Sequence, residues 1–253
     1  MNKITLTRNA VKNHEELFPG HESKLQKTDP ELIGLFDNWA FDEVIRQSKL
    51  ETKTRVMMIL ASTIASQALG EYRVMLGAAL NVGVNPIEIR EILYQSVPYV
   101  GMAKVFDFLH ATNDVFHGKR ISLPLEGQST TTPETRHEKG LALQKAIFGE
   151  VIERMYQQSP NDQLHIQEFL SSNCFGDYYT RRGLDIKTRE LLTFAMLISL
   201  GGCEPQVKGH IQGNVSVGNN KEVLLDVVTQ LLPYIGYPRT LNALCCLNEV
   251  LTA

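Results

Sequence analysis

Gln95-Ser96-Val97-Pro98-Tyr99-Val100-Gly101 returns 135 positions later as Gln230-Leu231-Leu232-Pro233-Tyr234-Ile235-Gly236. Upstream, Leu50-Glu51-Thr52-Lys53-Thr54-Arg55 returns as Leu184-Asp185-Ile186-Lys187-Thr188-Arg189, displaced by 134. Downstream, Asn113-Asp114-Val115 returns as Asn248-Glu249-Val250, again at 135. Blocks kept in order with a slip of one residue describe two copies of one architecture, with a single insertion in the second. The apolar spacing inside each copy is helical. Ile89, Ile92, Leu93 and Val97 fall at i, i+3, i+4 and i+8, and Leu224, Val227, Val228 and Leu232 repeat them. Asn85-Pro86-Ile87-Glu88 supplies a cap, a first-turn proline and a glutamate placed for a capping box. No stretch alternates convincingly with the β-branched enrichment of a strand. Each copy reads as a long helix (near 53–66 and 187–200), a break, a second helix, a turn at Gly83 or Gly218, and two more helices. The fold class is all-α, built from two tandem helical-bundle units.

Between the copies, the Gly-, Pro-, Ser- and Thr-rich run from Gly118 to Pro133 breaks the helical period. The expected organisation is a first unit over 1–117, a linker over 118–133 and a second unit over 134–253, with Thr132 capping a helix that begins at Pro133. Apolar residues at 43% and charged residues at 21% argue against disorder, and 253 residues suffice to bury a core. A net charge of −3 leaves no basic footprint, so nucleic acid is not an expected partner. The apolar runs are too short to span a bilayer, and Met1 to Arg8 lack the apolar centre of a signal peptide. The expectation is a cytoplasmic protein with no membrane partner and four reduced cysteines. None of them forms a Cys-x-x-Cys pair, so no metal site is expected.

Chemistry concentrates at the break Gly201-Gly202-Cys203-Glu204-Pro205-Gln206-Val207-Lys208-Gly209-His210. Cys203, Gln206 and His210, spaced 0, 3 and 7, share one stripe of a helix whose apolar positions Val207 and Ile211 face the core. A cysteine at a helix N-terminus can have a depressed pKa, and a histidine two turns on can exchange protons near neutral pH. In the first copy Ala68, Glu71 and Met75 stand at these positions, so thiol and imidazole are replaced by apolar groups. Arg181, Arg182 and Arg189 are candidates for gripping a substrate carboxylate, although Asp177 and Arg181 also suit an ordinary i, i+4 surface pair.

With Glu190 upstream, Gly218, and Pro233-Tyr234-Ile235-Gly236-Tyr237-Pro238 downstream, the stretch 202–210 resembles the carboxymuconolactone decarboxylase family. That family shares its fold with the alkylhydroperoxidase AhpD proteins, and both copies resemble it, over roughly 30–117 and 163–251. The resemblance implies two readings. In the decarboxylase branch a glutamate followed six residues later by a histidine is typical, which Glu204 and His210 fit. In the peroxidase branch Cys203 and His210 match the first cysteine and the histidine, Glu190 lies near the proton-relay position, and Gln206 replaces the resolving cysteine. Cys245 and Cys246 lie one helix away, without spacing that shows contact.

The first expectation is cofactor-free decarboxylation or proton transfer on a small carboxylated lactone or related acid. Catalysis is assigned to His210, Cys203, Glu204 and Glu190, and substrate binding to Gln206 and Arg189. The alternative is a thiol-dependent peroxidase using Cys203. The first unit is expected to carry a degenerate site. Single-unit relatives that form six-unit rings imply a homotrimer here.

Overall fold

The computed structural model describes residues 4–251. In the first unit, α1 (Arg8–Leu17) is capped by Thr7, whose hydroxyl accepts from the Ala10 amide at 3.1 Å. After α2 (Leu25–Thr28), α3 (Pro30–Asn38) runs through a π-helical segment, Trp39–Glu43, into α4 (Val44–Arg46). Then come α5 (Thr52–Ala65), α6 (Leu69–Asn81), α7 (Pro86–Val100) and α8 (Met102–Gly118). The second unit repeats this order: α9 (Arg136–Phe148), α10 (Val151–Gln158) and α11 (Leu164–Phe169), a π-helical segment Leu170–Tyr179, then α12 (Ile186–Leu200), α13 (Glu204–Ser216) and α14 (Lys221–Val250). Gly236, at φ 74°, divides α14 into two helices, as the turn at Gly101 divides α7 from α8. No strand occurs among the described residues.

The expected capping box is present: the Asn85 side chain accepts from the Glu88 amide at 2.9 Å and Glu88 accepts from the Asn85 amide at 2.8 Å. One boundary differs from expectation. Thr132 heads a turn, its carbonyl accepting from the Thr135 and Arg136 amides, and the helix proper starts at Arg136 rather than Pro133. The Thr135 hydroxyl, not that of Thr132, accepts a backbone hydrogen bond there, from Thr132 N at 2.9 Å.

Every residue from Arg55 to Ala65 in α5, and from Arg189 to Ser199 in α12, is buried. Helices buried on all sides belong at the centre of a core, and these two pack against each other. The Ser199 hydroxyl donates to Ser62 across the contact at 2.7 Å. Helices of both units surround this axis: α7 packs on its own α5 and on α12 of the second unit, and α14 packs on its own α12 and on α5 of the first. One apolar core therefore runs through both units, and each unit's central helix is covered partly by the other.

Candidate active site

His210 sits two turns into α13, and its Nδ1 lies 2.9 Å from Oε2 of Glu190 on the neighbouring α12. Glu190 is fully buried, and its Oε1 has no hydrogen-bond partner. The carboxylate fixes the ring: with Glu190 ionised, Nδ1–H donates and Nε2 is left to meet a ligand. Asn214, one turn further along, donates to the carbonyls of Glu190 (3.0 Å) and His210 (2.7 Å), and Asn219 donates to Asn214 at 2.9 Å. Gly213 makes the close approach of the two helices feasible. A Cβ there would stand 2.6 Å from Glu190 Oε2 and 2.7 Å from the Phe148 ring.

The imidazole is held between two aromatic rings, Tyr99 at 5.6 Å and Phe148 at 5.4 Å, both edge-on. Its Nε2 has no hydrogen-bond partner among the described residues, and the ring lines a cavity of about 420 Å³. Most of the wall is apolar, including Phe148, Val151, Ile152, Leu170 and Leu197; Gln206 and Cys203 stand beside His210. Tyr99 enters from α7 of the other unit, so the crevice is composite. Its hydroxyl donates to Tyr179 at 2.9 Å, and Tyr179 shares a 2.7 Å hydrogen bond with Thr193. Burial holds both phenols well above the ordinary tyrosine range, so they remain protonated. Burial likewise pushes the Cys174 thiol, also on this wall, up to about 12.

The structure thus brings together His210, Glu190, Gln206 and Cys203. Glu204 is not on the wall of the His210 cavity: it lines a neighbouring small crevice with Arg239, Cys203 and Cys246. The expected thiol shift is reversed. Cys203 Sγ donates to the Leu197 carbonyl at 3.4 Å, and burial, followed by the charge of Glu204 and nearby Cys246, pushes its pKa up. Desolvation and an adjacent carboxylate here outweigh the helix terminus. All four cysteines are free thiols; Cys246 is buried and Cys245 is exposed, donating to Glu249.

Arg189 is the clearest correction. It is buried, with its guanidinium on Glu91 (2.8 Å) and Gln95 (3.0 Å) of the first unit, and it reaches no substrate cavity. Arg181 also binds Glu91, while Asp177 pairs with Arg136 at 2.7 Å instead of the expected i, i+4 arginine. Sequence reasoning passed over Tyr99, Phe148, Cys174 and Gly213. Tyr99 was visible as a repeated position, but nothing near it signals a role in the other unit's crevice.

The profile of the carboxymuconolactone decarboxylase family matches residues 30–114 and 165–249. The chain belongs to the carboxymuconolactone decarboxylase family. It carries two family units in tandem, with α9 and α10, which supply Phe148, Val151 and Ile152 to the crevice, outside both matched stretches. The 4-carboxymuconolactone decarboxylase of Acinetobacter baylyi is 29% identical over 118 residues, 46% of this chain and 87% of that relative. A crystal structure from Burkholderia xenovorans, described as a gamma-carboxymuconolactone decarboxylase subunit, superposes with a TM-score of 0.54 at 20% identity. It spans 93% of this chain and 95% of its own, and shows the shared fold.

Proposed function

We propose that the chain is a cofactor-free decarboxylase of a small carboxylated lactone, with the second unit's crevice as its active site and His210 as the proton donor to carbon. The observation that carries this reading is the His210–Glu190 pair, its free Nε2 on the wall of a largely apolar cavity. The bond from the substrate carbon to its carboxylate breaks, and the electron pair moves into the conjugated carbonyl as an enolate while CO₂ leaves. The enolate carbon then takes the Nε2 proton of the imidazolium, and solvent returns a proton to the ring. Glu190 keeps Nδ1 protonated and compensates the charge on the ring during the cycle. Apolar walls favour a step that disperses a localised carboxylate charge. Gln206 is placed to hold the lactone or a second carboxylate through its amide.

Incubating the purified protein with 4-carboxymuconolactone in D₂O tests the proposal. It calls for release of CO₂ and one deuterium bound to carbon in the product; unchanged lactone at millimolar substrate contradicts it. The thiol-peroxidase reading has less support, because burial and the Glu204 charge push the Cys203 pKa up and no second thiol follows it on α13. Alkylation of Cys203 by iodoacetamide should accelerate only above the pH at which a free cysteine, with a pKa of about 8.5, reacts. Fast labelling at neutral pH would restore the peroxidase reading. Exposed Met102, Phe106, Tyr237 and Leu241 support association into the proposed homotrimer. Light scattering at micromolar concentration should report three chains, and a stable monomer removes that part.

A further inference from the structure

A second charged cavity lies on the seam between the units. It measures about 410 Å³ and is walled by Ile87, Arg90 and Tyr94 of α7, Asn113 of α8, the strap 123–128 and Arg181. Gly183 lets the bend before α12 close on α7, since a Cβ there would meet Ile87 at 2.8 Å and Glu91 at 2.9 Å. Beneath the strap, Arg181 grips Glu91 through Nε at 3.0 Å and a terminal nitrogen at 2.9 Å, while Arg189 takes the other carboxylate oxygen at 2.8 Å. Side-chain exposure is 1% for Arg189 and Glu91 and 14% for Arg181. Two guanidiniums therefore share one carboxylate, and among the described residues neither has a second ion-pair partner where water solvates poorly.

Arg90 adds a further cation to the same cavity. Its side chain makes one hydrogen bond, to Asn113 at 2.6 Å, and lies over the Phe116 ring, so most of its N–H groups remain free. Against three arginines, counting Arg189, stand the carboxylates of Glu91 and of Glu126 on the exposed strap. Ile87, Leu123, Leu125 and the Tyr94 ring supply an apolar wall, and Asn113 and Gln128 add neutral polar groups. A cationic end and an apolar wall in a space of this size fit an organic anion better than a bare inorganic one.

We propose that this seam cavity binds a small organic carboxylate, its charge on Arg90 and Arg181 and its carbon chain against Ile87, Tyr94 and Leu125. Planar carboxylates suit guanidinium donors, and the ligand neutralises the buried excess charge. The site shares no lining residue with the crevice of His210, so it stands or falls independently of the decarboxylase reading.

Calorimetric titration with adipate at low ionic strength, on the full chain, is the test. Arg90→Gln should weaken binding tenfold or more. Asn113→Asp should do the same by pairing Arg90 internally and repelling the anion, without removing a packing group. Both variants should melt as the parent does or higher, His210→Gln should bind adipate unchanged, and equimolar phosphate should not displace it. No binding at millimolar adipate overturns the proposal. So does complete displacement by phosphate, or binding that is lost in His210→Gln yet intact in both seam variants.

Discussion

The second unit joins buried Glu190, Asn214 and Asn219 to the part-buried His210 in one polar cluster; at the corresponding positions the first unit holds Val56, Met75, Ala79 and Val84, all buried and all apolar. A polar network inside a core is stable when all members are partnered, and a single member left alone is costly. Coordinated presence in one copy and coordinated absence in the other follow from that rule. Gly213 belongs to the same set. The first unit has Ala78 there, because no carboxylate approaches and a Cβ fits. The scaffold therefore needs neither the imidazole nor its carboxylate. The second unit keeps a buried glutamate oxygen without a partner among the described residues, a cost that the first unit avoids with Val56.

The seam offers a matching contrast. Arg189 is bound to Glu91, whereas Asp226, which stands where Glu91 stands in the repeat, accepts the Lys49 amide at 3.0 Å and makes no ion pair among the described residues. Arg55 makes no ion pair among the described residues, and burial lowers its pKa. Glu91→Leu should therefore cost about 3–5 kcal/mol, because it strands the buried Arg189 guanidinium. Asp226→Asn should cost about 1 kcal/mol, the scale of one hydrogen bond. Denaturant melts of the two variants decide, and equal losses would break the contrast.

A smaller effect sharpens the comparison at the site. Gly213→Ala should lose about 1–3 kcal/mol through overpacking against Glu190 and Phe148, and turnover should fall with it as the carboxylate is displaced. The reverse change in the first unit, Ala78→Gly, should cost about 1 kcal/mol of helix propensity and leave turnover alone. Smallest is Met75→Leu, a volume-conserving swap expected to cost less than about 1.5 kcal/mol and to leave the rate unchanged. A large rate loss from Met75→Leu would mean that the first unit takes part in catalysis.

The repeat, the helices and the stripe of Cys203, Gln206 and His210 were legible because helical period and ordered blocks survive in sequence. The packing of α7 and α14 on the central helices of both units was not, since a repeated block carries no sign of a contact with the other copy. That is why Arg189 read as a ligand for substrate: its true partner, Glu91, is 98 residues away and belongs to the other unit. Glu190 was reached through the family resemblance, while its register opposite His210 required the helices' packing. Phe148 lies outside both stretches that match the family, so the repeat could not point to it. Cys203 was misjudged in direction because desolvation depends on neighbours, not on position along a helix.

Of the two equivalent positions, His210 and Met75, only the imidazole can transfer a proton. Single-turnover decarboxylation of 4-carboxymuconolactone by His210→Gln and by Met75→Leu, each checked for native melting, tests it directly. Loss of a general acid typically costs about 10²–10⁴-fold, so His210→Gln should slow the chemical step by that factor while Met75→Leu stays at the parent rate. A folded His210→Gln variant that turns over at full rate would contradict the account.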